Sequence, residues 1–405
     1  MRHETLGLAR KVEPVARRQC LVAAVALLCT LGFASCRKHA APDSSGGVPV
    51  IAKKWEFAVG GKIVGGLALA DDGTLYTACE DGFVYALDAA GALQWKTYIG
   101  ASEATPAIGP DGAIYVSNNN GRLLALNRSG STRWSVDLYH GNTLNKNAGA
   151  MGRDYFYAAS RGNLSAVRLD NGQVAWQSAW GGDQWGSVTL LPDGTLLSPG
   201  RAKLTALDSN GQIIWQYPAV SAGPSASSFF ISSGIAIDQN RTLYATANRS
   251  SLIAMGLDGS VKWELKTISL SELGRSTPVV STDGTIFFGG IDATLYALDS
   301  FGTTKWKFTL QGPAHVSPLL AQDGVIFVAA GHTLSAISPE GRLVSLADMA
   351  RDTESSPTLA PDGTVYVATY DNKILAYAGG HGGLMNSSWP KYQADLSNSG
   401  TPHLF

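Results

Sequence analysis

An alanine returns along this chain at a nearly fixed step. It stands at Ala86, Ala125, Ala166, Ala206, Ala254, Ala297, Ala336 and Ala376, at intervals of 39, 41, 40, 48, 43, 39 and 40 residues. A glycine follows each of the first seven, at Gly91, Gly130, Gly172, Gly211, Gly259, Gly302 and Gly341. Four residues beyond each glycine comes Trp95, Trp134, Trp176, Trp215, Trp263 or Trp306, with Ser345 in the last place. The best-formed unit, 104–134, reads as four short strands broken by Asp111-Gly112, Asn120-Gly121 and Ser129-Gly130. Asp-Gly and Asn-Gly between β-branched and aromatic runs are hairpin signals. One such meander cannot bury its two faces, so neighbours must cover it. Units of about forty residues with four strands each define a β-propeller. The expected fold is all-β, an eight-bladed propeller of four-stranded antiparallel blades.

The ends of the repeat predict how the ring closes. The eighth unit, 356–378, holds three strands and then the glycine-rich run 379–383. Trp55 has no unit in front of it, and residues 54–58 read as an isolated fourth strand. This strand is expected to complete the last blade, leaving no open sheet edge there. The expected organisation is 1–35 signal segment, 36–52 flexible linker, 53–378 propeller and 379–405 glycine-rich C-terminal tail.

Arg10, Lys11, Arg17 and Arg18 precede an uncharged apolar run of 14 residues from Cys20 to Phe33. That is too short to span a bilayer and suits a secretory signal. It ends in Phe33-Ala34-Ser35-Cys36, which resembles a bacterial lipobox and implies lipidation of Cys36. Cleavage after Ala34 to give a soluble periplasmic product is the alternative. Residues 37–52 are rich in Pro, Ser and Gly, a spacer composition.

Of 405 residues, 31 are Lys or Arg and 32 Asp or Glu. Removing residues 1–35 takes five Lys/Arg and two Glu, leaving 26 basic and 30 acidic residues, a net of −4. No basic stripe for nucleic acid remains. Cys79 is the one cysteine left beyond Cys36. Its place in an apolar strand suits a buried structural thiol, and a disulfide framework or multi-cysteine zinc site is excluded. The histidines are scattered, and no Ser/His/Asp set or phosphate loop is present. No catalytic or metal site is therefore expected.

The unit Ser/Thr-Pro, Asp-Gly, aromatic strand, Ala-Leu-Asp, Gly and Trp, as in 104–134 and 276–306, resembles the pyrroloquinoline-quinone-like (PQQ-like) propeller repeat. The resemblance covers roughly residues 54–378. It implies that Trp55, Trp95, Trp134, Trp176, Trp215, Trp263 and Trp306 dock between blades. The tail segment 389–400 is also similar to one found at the ends of such propellers.

Function is expected where the repeat breaks. The Asp-Gly and Ser/Asn-Gly turns are short and uniform and share one face. Their carboxylates are expected to cap their own turns. The blade-to-blade connections 139–150, 178–187, 218–233, 266–276 and 347–356 share the other face and vary in length and chemistry. Variable loops on a rigid scaffold carry function. They hold Tyr139, His140, Asn142, Lys146, Trp180, Asp183, Phe229, Phe230, Arg351 and Asp352. Three residues ahead of the first-strand proline, or its equivalent, stand Val64, Glu103, Asn145, Trp185, Arg275, His315 and Glu354. The six from Glu103 to Glu354 are the candidate ligand or partner residues of the channel mouth.

The expected function is a non-catalytic cell-envelope binding or scaffold protein, a monomeric propeller on a lipid anchor at the periplasmic side of the outer membrane. It resembles the propeller lipoproteins of the outer-membrane β-barrel assembly machinery, which implies an envelope protein partner. No cofactor is expected. The alternative is a PQQ-dependent dehydrogenase with calcium, although the chain lacks the vicinal cysteine pair many of these carry. A carbohydrate or polymer binder, suggested by Trp180 and Trp185, is the third reading.

If Cys36 carries the anchor, Cys36→Ala moves the protein from the membrane fraction to the soluble periplasmic fraction. A single acyl chain holds weakly, and two or more hold firmly. A wild-type protein already fully soluble defeats this expectation.

Overall fold

The repeated alanine has a packing reason. In the computed structural model, which describes residues 48–138, 148–160, 163–179, 186–200, 203–217, 231, 233–247, 251–266 and 276–402, Ala86 pairs with Tyr76 on one side and Trp95 on the other. The same cross-strand row is Tyr115, Ala125, Trp134 in the next unit and Tyr244, Ala254, Trp263 in the fifth. Directly opposed side chains in a sheet lie about 5 Å apart. Two large rings closing from both sides leave room for a methyl group only, and all eight alanines are 0% exposed. The rings meet over them, with Tyr76 and Trp95 centroids 5.7 Å apart and Tyr115 and Trp134 also 5.7 Å apart.

Among the described residues the strands form eight four-stranded antiparallel sheets and no helix. Blade one comprises Ala68–Leu69, Leu75–Ala78, Phe83–Leu87 and Leu93–Tyr98, and blades two to seven repeat that order. First strands are two residues long and fully buried, and those of several neighbouring blades approach one another. They line the channel. Fourth strands alternate exposed and half-buried at the rim.

The ring closes as the end strands predict. Lys53–Ala58 pairs antiparallel with Lys373–Ala378, and Trp55 opposes Ala376. The eighth blade is therefore Thr358–Leu359, Thr364–Thr369, Lys373–Ala378 and the N-terminal strand.

Each tryptophan then locks its blade to the next. The indole Nε1–H donates to the carbonyl of Ala89 from Trp55 (3.0 Å), Arg128 from Trp95 (2.7 Å), Leu169 from Trp134 (2.9 Å) and Ser209 from Trp176 (2.9 Å). Trp215, Trp263 and Trp306 reach Leu257, Ser300 and Pro339 at 2.7–2.9 Å. The ring lies on the third-turn glycine of that next blade. A Cβ at Gly130 would stand 2.7 Å from the Trp95 ring, and the backbone there has φ of +84°. Both facts demand glycine.

Ser345 breaks the series because its receptor is missing. The third turn of blade eight is replaced by two separate chain passages, Ala52 entering and Ala378 leaving, joined by a 2.8 Å hydrogen bond. The chain fills the gap with Ile51. Residues 49–51 run parallel to the rim strand of blade seven, with Ile51 N–H on Leu346 O and Leu346 N–H on Pro49 O. Ile51 is 4% exposed and joins the core between blades seven and eight.

A second lace runs around the channel. The hydroxyls of Thr105, Thr277, Ser317 and Ser356 accept backbone N–H groups of the preceding blade, from Gly66, Gly234, Thr277 and Ser317, at 2.7–3.1 Å. These are the residues ahead of the first-strand proline or its equivalent, so that repeated Ser/Thr has an inter-blade role.

Trp134→Ala is expected to cost about 3 kcal/mol in urea unfolding, the low end for tryptophan truncation because its rim position leaves the ring only half-buried. Ser345→Ala is expected to stay within about 0.5 kcal/mol. Equal losses at the two positions overturn the docking account.

Candidate functional site

The turn face is closed on itself. Asp72, Asp193 and Asp362 each accept the backbone N–H two residues on, at 2.9–3.0 Å. Their other oxygens meet Arg128, Arg241 and Lys54. Asp111 pairs with Arg133, and Asp323 with His381. Hydrogen bonds from the turn hold Asp72 below the usual carboxylate range. These acids are used by the turns that carry them.

The loop face brings blade ends together. Connections run beside second turns, as in Ile99 N–H to Gly82 O (2.8 Å) and Tyr370 N–H to Asp352 O (2.9 Å). Here Glu354 meets Lys62 at 3.1 Å, and Lys62 lies 4.3 Å over the Tyr370 ring. This pair links blade eight to the lead into blade one, and both partners are partly exposed. At such exposure an ion pair contributes about 1 kcal/mol or less. Glu103 is buried, its N–H on the Asn119 side chain at 3.3 Å, and His315 is half-buried. Asn145, Trp185 and Arg275 lie outside the described residues, as do Tyr139, His140, Asn142, Lys146, Trp180, Asp183, Phe229, Phe230 and the lipidation candidate Cys36. Arg351 and Asp352 are exposed. A groove of about 380 Å³ opens between blades one and two, lined by Tyr98, Asn118, Asn120, Arg122 and Asp137. Tyr98 is 68% exposed there, its ring fixed edge-on to Phe83. Sequence reasoning passed over Lys62, Tyr370 and this groove because single residues in a lead-in, a second turn or at a strand end leave no periodic trace.

The channel holds the largest addition to the sequence reading. Residues 384–402 run along its wall. The N–H groups of Leu69, Ile108, Met151 and Leu190 donate to the carbonyls of Leu396, Ser397, Ser399 and Gly400 at 2.7–3.0 Å. Those of Val280 and Leu320 reach Trp389 and Pro390 at 2.8 and 2.9 Å. Lys391 is 1% exposed and donates to Tyr392 O, Asp395 O and Asn398 Oδ1 at 2.8, 2.9 and 2.6 Å. Burial pulls its ammonium down to about 7, with the Asp395 carboxylate opposing. The Trp-Pro-Lys-Tyr run of the tail is the signal that points to a packed segment.

Among the described residues no three His, Cys, Asp or Glu side chains converge as a metal site. Cys79 is buried, and burial pushes its thiol up to about 12, far from a reactive thiolate.

With this geometry in view, comparison with known proteins places the chain. The profile of the family described as outer membrane protein assembly factor BamB matches residues 52–187, 160–282 and 266–340, together more than half of the chain. The chain belongs to this family of PQQ-like propellers. Among solved structures, BamB from Moraxella catarrhalis is similar at a TM-score of 0.66 and 16% identity, over 81% of this chain and 99% of that one. Quinohemoprotein alcohol dehydrogenase ADHIIG from Pseudomonas putida HK5 is similar at 0.63 and 15%, over 84% and 78%. The computationally designed Ika8 protein is similar at 0.65 and 12%, over 82% and 99%. At these identities the likeness is one of fold. No curated protein matches the chain.

Lys391 makes a signed pH prediction. Its folded value of about 7 lies below the ordinary 10.5. Between the two the unfolded chain binds more protons, so stability rises with pH across that window and is lost as pH falls toward 7. The melting temperature is expected to climb from about pH 7 to about pH 9, below the tyrosine range. Lys391→Met removes that climb. Parallel pH curves for the two proteins overturn the assignment.

Proposed function

We propose that this chain is a non-catalytic scaffold of the bacterial cell envelope that holds a protein partner on its loop face during outer-membrane protein assembly. Family membership carries this reading, and the geometry supports it. The turn face spends its carboxylates on its own turns and neighbouring cations. The loop face collects irregular connections, the Lys62–Glu354 pair and the Tyr98 groove. In this reading the ring acts without PQQ, calcium or other cofactor. Cys36 carries a lipid anchor, the linker after it spaces the ring from the outer membrane, and the ring faces the periplasm as a monomer. Glu103, Asn145, Trp185, Arg275, His315 and Glu354 form the partner-binding mouth, where Trp and Arg are residue types that suit a protein hot spot.

A strain lacking the protein is expected to show lower levels of outer-membrane β-barrel proteins, restored by the wild-type chain. Trp185→Ala with Arg275→Ala is expected to fail in that restoration while its melting temperature stays within about 1 °C of wild type, a shift under about 1 kcal/mol for a ring of this size. Unchanged β-barrel levels in the deletion strain reject the reading. A large loss of melting temperature in the double variant assigns these residues to packing instead.

A further inference from the structure

The C-terminal segment meets the ring as a ligand meets a site. It is tethered through Gly379-Gly380-His381-Gly382-Gly383, where Gly380 and Gly382 have φ of +75° and +68° and a Cβ on Gly380 would touch nothing within 4 Å. The link is itself tied to the ring, through Gly379 N–H on Gly363 O, His381 on Asp323 and Gln322 N–H on Gly383 O, and beyond it the contacts become regular. Leu384 bridges Ala321 and Trp389 bridges Val280, both antiparallel. The six N–H donors described above, Leu69, Ile108, Met151, Leu190, Val280 and Leu320, are in each case the second residue of a two-residue innermost strand. Equivalent main-chain donors from six blades therefore meet one continuous segment, at carbonyls within 389–390 and 396–400.

Side chains add selectivity. Trp389 is 0% exposed and packs in the core that blades four, five and six share. The Tyr392 hydroxyl bonds the Ser187 hydroxyl at 2.6 Å. The Asn398 amide donates to Leu67 O and Pro106 O, and the Thr401 hydroxyl to Met151 O, at 3.0–3.2 Å. The segment also carries its own shape. Lys391 ties three acceptors of the same segment, and the Asp395 carboxylate accepts Ser399 N–H and Oγ–H. This knot holds Gln393, Ala394 and Asn398 at positive φ of 61°, 68° and 55°. Main-chain bonds that give affinity, pockets that give specificity and a preorganised strand are the elements of peptide recognition at a sheet edge.

We propose that the central channel is a peptide-binding site loaded in cis by residues 384–402, and that it accepts the same segment when this is supplied as a separate chain. The glycine tether then serves to raise the local concentration of the segment and is not needed for its recognition.

The test uses the full chain with a specific protease site placed within residues 379–383, cut after folding. The C-terminal fragment is expected to stay with the ring through gel filtration. A fluorescent peptide of residues 384–402 in excess is expected to exchange into the cut ring at one per ring. Peptides with Trp389→Ala or Lys391→Met are expected to compete at least tenfold less well, and Tyr392→Phe a few-fold less well. Release of the wild-type fragment, with or without loss of the ring, overturns the proposal. So does retention without exchange, or equal competition by all the peptides.

Discussion

The indole of one blade resting on a glycine of the next is the contact on which the ring depends. It joins three requirements that no single residue type meets elsewhere. The fourth strand must end in a ring large enough to cross the blade gap, and its N–H must find a carbonyl there. The receiving turn must lack a Cβ and must hold positive φ, as Gly91 does beneath Trp55 and Gly341 beneath Trp306. The third strand must then be small, because Trp95 and Tyr76 close over Ala86. Alanine, glycine and tryptophan therefore recur together. The forty-residue period is the repeat of one interface rather than of one fold unit alone.

That interface leaves the two faces with different duties. On the turn face Asp111 and Asp362 are fixed by their own turns and by Arg133 and Lys54. Such exposed pairs add little stability, but they occupy the charges that a partner would need. On the loop face nothing in the repeat dictates the connections. Glu354 reaches Lys62, whose ammonium lies over the Tyr370 ring.

What was legible in the sequence follows from the same contact. Trp55 without a unit before it predicted the closing strand, and Lys53–Ala58 does pair with Lys373–Ala378. Docking of Trp95 to Trp306 between blades was implied by the resemblance to the PQQ-like repeat, and all seven tryptophans including Trp55 donate to a neighbouring carbonyl. Ser345 stood as an exception whose reason only the structure supplies, since the missing receptor turn is a property of the closure. Ile51 carried no repeat register and so no signal. The channel segment was less legible still. Six of its contacts with the ring join main chain to main chain, and carbonyls of Leu396, Ser397 or Gly400 have no sequence signature. Of the mouth residues, Glu103, His315 and Glu354 belong to the described ring, and the Lys62 ammonium beside Glu354 explains a carboxylate there.

Both chain ends finish the ring by insertion, and one physical cause underlies both. A ring of eight blades leaves its innermost strands with one edge unpaired, turned toward the axis. Unpaired backbone N–H groups in a space too narrow for bulk water are costly. Side chains from two-residue strands cannot reach back to satisfy them, so the donors at Leu69, Ile108, Met151, Leu190, Val280 and Leu320 require an outside acceptor. The C-terminal segment supplies carbonyls to all six. At the rim the problem is one of volume, because closing the last blade with a strand from the other end of the chain removes the turn that would have received an indole. Residues 49–51 fill that place with Ile51 and hydrogen-bond to the rim strand at Leu346. The repeat therefore determines where the non-repeating residues have to go: one segment to the axis, where acceptors are lacking, and one to the seam, where volume is lacking.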